Sequence, residues 1–551
     1  MELRLVRSGL VKEIPGELSA VFKALANTAF LNQHSHDLSL GGLHLTLADG
    51  SPLHVFLSIE IVISDEGALR GLYSRKGAAG LKPCLLCQNV FRYNNARSIV
   101  ANDASGFAVH HTCHDHTKLV PQTPATLSAI MRRLSAAAGI MSRAQFAELE
   151  TRLGWNYSVH GLMQEERLRQ RCDPCRCACY DWMHVFFVSG IFNVHCGYLL
   201  IALRPFGVTY GTLYTYVSQW RWPIRIGNGA AEVLSEKRAK SSWQDGTLKA
   251  TASEGLSLVP ALAQFLDNLR RNADNEDLKR HAACFLQLAS IIDSIQKSSR
   301  VAIAAEGLQQ EVGLYLKSFQ ELYGCEAMIP KFHFAMHLAG FLGRWGTSPN
   351  CYVLERKHKQ VKRFANEVRN TSSNWESSVL REITSRHVAE LSQRPHFEIT
   401  AGLVDPHGVS KRFGVMLQAA VGPHALDCFS TSLSVRVNAW ERVHKGDAAA
   451  IRGAEGAIEV GQALWHVAVQ VEGCAHTLTR VQLWQPLSAD RRASKWRRSD
   501  TSALRMSSDI VGALIWAGDA TVTTLKSVHV LNGSSHAAVS IYPHLPFTLP
   551  W

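Results

Sequence analysis

Two kinds of side chain in this sequence can do chemistry: soft metal ligands and paired carboxylates. Lys82-Pro83-Cys84-Leu85-Leu86-Cys87 contains a C-x2-C pair, whose short turn aims both sulfurs at one point, as a zinc knuckle requires. A tetrahedral ion needs two further ligands, and the chain offers several sources. His333 and His337 lie four apart, so on a helix they share a face and both imidazoles reach one ion. Cys172, Cys175, Cys177 and Cys179 are dense enough to build a second site alone. His110, His111, Cys113, His114 and His116 form a third cluster. The competing readings are a core histidine for the 333–337 pair and adventitious polar affinity for the 110–116 loop.

The carboxylates are Asp65 and Glu355. Asp65 follows His54 to Ser64 (HVFLSIEIVIS), a β-branched and aromatic run that predicts a central buried strand. Open α/β sheets place their ligands at the carboxyl ends of such strands. Glu355 opens a basic helical stretch containing Arg356, Lys357, Lys359, Lys362 and Arg363. Brought together, the two carboxylates can hold Mg2+ or Mn2+ for phosphodiester chemistry, with the five cations along a phosphate backbone. Taken singly, Asp65 reads equally as a strand-end turn residue and Glu355 as an acid favoured by a helix N-terminus.

The elements that must position these groups follow from patterning. At 551 residues the chain has room for three or four domains of ~150 residues. Residues 1–75 read as α/β material, with a helix opening at Pro15-Gly16-Glu17 and a hairpin arm over Gly42 to Leu47. Residues 76–330 carry the Cys/His clusters and long helical periodicities over Leu256 to Leu288 and Ala302 to Leu322. Residues 331–395 continue as helices with the histidine pair, Glu355 and the basic run. After Arg394-Pro395, residues 396–551 alternate as short strands and predict a β-rich C-terminal domain. Its basic run, Arg491 to Arg498 around Trp496, reads as a solvated loop, a phosphate and base-stacking patch, or an import signal.

Composition bounds the partners. A hydrophobic fraction of 46% with 19% charged residues excludes a disordered, collagen-like or coiled-coil chain. The excess of 58 Lys+Arg over 46 Asp+Glu, a net charge of +12, favours polyanions such as nucleic acid. Thirteen cysteines, an odd number, argue against a closed disulfide scaffold and for metal binding in a reducing compartment. Glu2, Arg4, Arg7, Lys12 and Glu13 interrupt any secretory core at the N-terminus, which predicts a soluble intracellular protein. Val185 to Leu203 imitates a membrane span, but Asn193, His195 and Gly197 near its middle predict a buried core helix and no membrane partner.

The order and spacing of these parts resemble CACTA-type (En/Spm-like) DNA transposases, distant cousins of the V(D)J recombinase catalytic subunit. Ser64-Asp65-Glu66-Gly67-Ala68 followed by the Cys84/Cys87 knuckle resembles their second catalytic Asp and its C-x2-C pair. Tyr180-Asp181-Trp182-Met183-His184 resembles the D-x-M-H element of their insertion domain. Lys331 to Lys359 resembles their last block, in which a histidine pair precedes the final catalytic Glu; here His337 stands 18 positions before Glu355. The resemblance covers about residues 60–395.

What the resemblance implies is a partial RNase H-like catalytic sheet interrupted by a large helical insertion. Asp65 and Glu355 would be metal carboxylates for two-metal strand transfer. Cys84 and Cys87 would meet His333 and His337 at one structural zinc, although His333 lies 246 positions after Cys87. DNA would be the partner, the nucleus the place of work, and self-association into a homo-oligomer is compatible with it. The group uses three carboxylates, the first on an earlier strand. Only 64 residues precede Asp65, and Asp37 and Asp49 sit in turn-like contexts. The expectation is therefore an N-terminally truncated, catalytically incomplete copy that binds DNA. The alternatives are a non-catalytic zinc-stabilised nucleic-acid-binding module, or a protein-interaction module on the same zinc framework.

Overall fold

The computed structural model describes all residues except 1–10, 31–36, 78–79, 94–106, 225, 228, 300, 353–360, 365–374, 393–400, 422–429, 438–441, 454–456, 472–473, 491 and 526–551. The architecture is mixed α/β, with extensive helix and one large curled antiparallel sheet. The chain divides into two compact units, Met1–Phe186 with Ala304–Arg386, and Phe187–Ile303 with His387–Trp551.

The first unit builds its strands in short pieces. After the helix Glu17–Phe30, β1 (Leu43–Thr46) and β2 (Pro52–Val55) form an antiparallel hairpin. The expected long strand over His54 to Ser64 does not form as one element. Chain pairing stops at Val55 and resumes only in β3 (Val62–Ser64), while Phe56 between them is 60% exposed. The run has strand preference throughout, but a strand is stabilised by cross-strand partners. In this unit β3 finds one, Ala178–Tyr180, here numbered β6 after the two-residue pair β4 (Val90–Phe91) and β5 (Val109–His110). The β3–β6 pairing is parallel, with Ser64 opposite Tyr180.

Parallel pairing fixes what leaves the strand ends. Asp65 caps the helix Glu66–Tyr73: its side chain accepts from the Ala68 amide at 2.6 Å. That satisfies one of the donors that a helix start leaves unpaired. The helix closes at Ser74 in a left-handed conformation, φ 56°. The next residue, Arg75, turns its guanidinium into the interior over the Trp155 ring, 4.8 Å from the centroid.

The second unit combines long helices with the sheet. Ala252–Asn272 opens with a reciprocal cap between Thr251 and Glu254 and packs on Glu276–Lys297. The sheet runs in the order Ile510–Leu514, Ala448–Arg452, Ile458–Val471, Cys474–Ala489, Ala493–Met506, Thr521–Leu525, Trp516–Ala517. Register shifts at Ala463/Trp465, Gln482/Trp484 and Pro486/Ser488 bend its longest strands, as bulges do. Ala448 and Ala450 pack with Trp484, Trp496 and Trp516, whereas Ala449 and Ile451 pack with Val435, Val443 and Val481. The Ala448–Arg452 strand is thus buried on both faces. Of the basic run, Lys495, Arg497 and Arg498 lie on strand Ala493–Met506 and not in a loop, Arg492 precedes the strand, and Arg491 lies outside the described residues. The Trp496 ring belongs to the core, with its Nε1 donating to Thr524 Oγ1 at 2.9 Å, so it is not available to stack a base.

The apolar stretch 182–206 is long and apolar enough to cross a membrane by length and composition, with a mean hydropathy of 1.8, and 72% of that window is buried within the fold. Its polar residues are explained by packing. Asn193 accepts from the Gly190 amide at 3.1 Å and donates to the Leu248 carbonyl at 2.8 Å. Gly197 is required because a Cβ there would stand 2.1 Å from the Gly246 carbonyl oxygen. His195 is fully buried, and burial pulls its pKa down to about 3.

This packing makes stability sensitive to one glycine and to pH. Gly197→Ala pushes a methyl group against backbone and should lower unfolding stability by about 1–3 kcal/mol in denaturant titration. The pH dependence comes from His195 and from His466, which burial pulls down to about 4. Both are neutral when folded and take a proton below pH ~6.5 when unfolded. Their stabilisation is complete above pH ~6.5 and is lost towards pH 4, at up to about 1.4 kcal/mol per pH unit for each histidine. A midpoint that does not change between pH ~7 and ~4.5 would contradict this.

Candidate metal centre

The knuckle is built by its neighbours before any ion is considered. Arg75 Nη2 donates to the Cys84 carbonyl at 2.5 Å, and the Leu86 amide donates to Cys84 Sγ at 3.3 Å. Tyr180, the last residue of β6, accepts from the Leu85 amide through its hydroxyl at 2.8 Å. The same hydroxyl points at Cys84 Sγ, 3.8 Å away. The Tyr180 ring stacks on Phe334 at 4.3 Å between centroids. One tyrosine therefore joins the knuckle, β6 and the helix Pro330–Ala335 that carries His333.

The histidine pair does not sit on one continuous helix. Pro330–Ala335 ends in a turn at Met336 and His337, and a new helix runs Leu338–Trp345. The turn keeps helical dihedrals, so the imidazoles still meet, with Nε2 atoms 3.1 Å apart. His337 Nε2 lies 3.2 Å from Cys84 Sγ and 3.5 Å from Cys87 Sγ. One ligand atom from each of Cys84, Cys87, His333 and His337 falls within 4.8 Å of every other. Around a tetrahedral zinc, sulfur and nitrogen ligands are about 3.5 Å apart and two nitrogens about 3.3 Å. The donor set and its spacing fit zinc or a similar ion.

The electrostatics carry the same message. Cys84, Cys87 and His333 are buried, and His333 Nδ1 has no hydrogen-bond partner. Burial pushes the Cys84 thiol up, but a hydrogen bond from Cys87 and the His337 and His333 imidazoles outweigh it and hold it well below the usual thiol range. Cys87 is driven the opposite way, because its thiol donates to Cys84 and is itself desolvated. Burial lowers the His333 pKa, keeping the ring neutral and able to ligate. A dication among these four side chains would deprotonate both thiols.

The other clusters have different roles. His111 accepts from the Tyr93 amide at Nδ1 and donates from Nε2 to the Met328 carbonyl, each at 2.8 Å. His114 Nδ1 lies 3.1 Å from Gln320 Oε1. These histidines fasten the 110–116 loop. Among the described residues, Cys172, Cys175, Cys177 and Cys179 do not gather into a metal-ligating group. Burial pushes their thiols up, and Cys177 Sγ donates to the Ile59 carbonyl at 3.0 Å.

Asp65 is half-buried and follows β3, a three-residue, half-buried strand in a two-stranded sheet and not the long central buried strand expected. Glu355, Arg356, Lys357 and Lys359 lie outside the described residues. Lys362 and Arg363 are exposed on a helical turn whose Phe364 packs with Val379 and Ile383. Near Asp65 stands Lys331, whose Nζ donates to the His184 carbonyl at 3.0 Å. Burial pulls its ammonium down, while the carboxylates of Asp65, Glu66 and Asp181 pull it up. Sequence reasoning did not single out Arg75 or Lys331, and Tyr180 entered only as a motif neighbour. None has a local signature; their roles exist only once β3, β6 and the 330s helix meet.

Cys84→Ser should remove one bound zinc and cost several kcal/mol of stability, since metal binding is coupled to folding. Tyr180→Phe should keep that zinc yet cost about 1–3 kcal/mol, because the buried Leu85 amide loses its acceptor. Zinc analysis and thermal melts on the two variants check the contrast.

Comparison with protein-family models, with curated proteins and with solved structures finds no match to this chain.

Proposed function

We propose that this chain is a DNA-binding protein of the DDE transposase lineage, folded around a structural zinc. The observation that carries the reading is the meeting of Cys84 and Cys87 with His333 and His337. The resemblance to CACTA-type transposases implies that meeting across 246 positions, which composition and local periodicity do not. Asp65 at the carboxyl end of a parallel strand, and Glu355 placed 18 positions after His337, supply two of the three carboxylates that such chemistry uses. Mg2+ or Mn2+ held there would activate a nucleophile and stabilise the leaving oxygen of a phosphodiester. The third carboxylate of that group stands on an earlier strand, so the reading claims DNA binding and not strand transfer by these residues alone. Zinc would keep the histidine helix and the knuckle together, Asp65 leaves β3, the partner of the strand whose Tyr180 joins them, and Arg356, Lys357, Lys359, Lys362 and Arg363 would lie along the phosphate backbone.

Duplex binding measured over a salt series tests this. Binding should weaken steeply with salt, and Lys362→Ala with Arg363→Ala should flatten the log–log slope by about 0.9 for each phosphate that is no longer neutralised. With Mg2+ or Mn2+ present, nicking should be absent. Nicking that disappears in Glu355→Gln would instead make the chain catalytic, and absence of binding at low salt would leave only protein assembly for the zinc framework.

A further inference from the structure

The tyrosine that braces the knuckle is followed by a second convergence of ligand-type side chains. Asp181 leaves β6 with its amide donating to the Ser64 carbonyl at 3.3 Å, and its side chain is 0% exposed. Oδ1 accepts from the Met183 amide at 3.1 Å and the Cys351 amide at 3.0 Å. Oδ2 accepts from the His184 amide at 3.3 Å and stands 2.5 Å from His184 Nδ1. Capping of the helix Trp182–Phe186 explains the Met183 and His184 amides and gives the His184 ring a partner. It does not explain Cys351, which arrives from 167 positions beyond His184. Cys351 is 4% exposed, its main chain is tied to the carboxylate, and its thiol converges on the same point. Ligand atoms of Asp181, His184 and Cys351 all lie within 4.8 Å of one another.

We propose that Asp181, His184 and Cys351 form a second transition-metal site, separate from the Cys84–Cys87–His333–His337 centre and sharing no ligand with it. One oxygen, one imidazole nitrogen and one sulfur are donors that zinc accepts, and three protein ligands leave a fourth position open, the pattern of zinc sites that do chemistry. A tetrahedral ion separates nitrogen and oxygen ligands by about 3.3 Å. A metal there would stand between His184 Nδ1 and Asp181 Oδ2 in place of their direct contact, with the ring displaced outward by less than about 1 Å. The His184 side chain is 14% exposed, whereas that of Asp181 is fully buried. The main-chain donors to Asp181 hold the carboxylate while this happens. Because Ser64 and Tyr180 are opposite each other in β3–β6, Asp65 and Asp181 emerge at the same edge. The ion would sit where open parallel sheets bind their ligands.

The test uses the full chain, zinc analysis and cadmium-113 NMR of the cadmium-substituted protein. Two zinc ions per chain are expected, with two cadmium resonances, one from a two-sulfur, two-nitrogen site and one from a site with a single sulfur. Cys351→Ala keeps the main-chain bond to Asp181 and should lower the count from two to one, removing only the single-sulfur resonance. One zinc per chain with a single resonance, unchanged in Cys351→Ala, overturns the proposal. Should that variant fail to fold, the wild-type cadmium spectrum decides, since a lone two-sulfur resonance overturns it equally. The outcome is independent of DNA binding and of the first metal centre, each of which has its own readout.

Discussion

Four metal-ligand side chains from two distant segments meet in the interior of the first unit, and much of that unit is arranged to bring them there. Two thiols and two imidazoles within hydrogen-bond distance of one another make a poor core without a cation. Cys84, Cys87 and His333 are buried, and His333 Nδ1 has nothing to bond. Burying polar groups in that state costs free energy that apolar packing must offset. A dication converts the same cluster into a tetrahedral crosslink between residue 84 and residue 337. Arg75, Tyr180 and Phe334 surround it as a scaffold: a guanidinium on the knuckle carbonyl, a hydroxyl on its amide, and a ring stack on the histidine helix. The parallel pairing of β3 with β6 depends on the same scaffold, because Tyr180 is at once the last residue of the strand and the brace of the site.

The ligand types were legible in the sequence, because C-x2-C and H-x3-H are local spacings with a direct geometric meaning. Their partnership was not local, and only the order of motifs along the chain pointed to it. The long strand over His54 to Ser64 shows the opposite failure. Its residues favour extended structure, yet β propensity reports fit to a pleated neighbour, and here only its two ends have one, His54 and Val55 in β1 and Val62–Ser64 in β6. Trp496 shows a third case. A basic run around an aromatic looks like a binding patch, but strand alternation sends Lys495 and Arg497 outward and Trp496 inward. Cys351 could not have been found at all, since nothing in its neighbourhood announces a ligand and its partners lie 167 and 170 positions away.

Many interior polar groups in both units are answered by hydrogen bonds within the chain. In the second unit, buried polar side chains in the apolar helix and the sheet answer specific backbone or hydroxyl groups. Asn193 bridges Gly190 and Leu248. His466 Nδ1 meets Thr479 Oγ1 at 2.9 Å, and Thr479 meets Ser507 at 2.8 Å. Such networks stabilise most when their members are satisfied together, which ties the composition of that sheet to a single register. In the first unit, too, His111 and Asp181 are answered by backbone groups, while His333 Nδ1 in the ligand cluster is left without a partner.

An ion held by Cys84, Cys87, His333 and His337 would raise the stability of the first unit with metal supply, since anything that binds only the folded form shifts the equilibrium by mass action. Asp65 is tied to that cluster: its helix cap, its strand partner and the tyrosine next to Asp181 all lead back to the knuckle within a few residues. Chemistry or a DNA contact built on that strand edge would then be conditional on the metal, even with the ion away from the substrate.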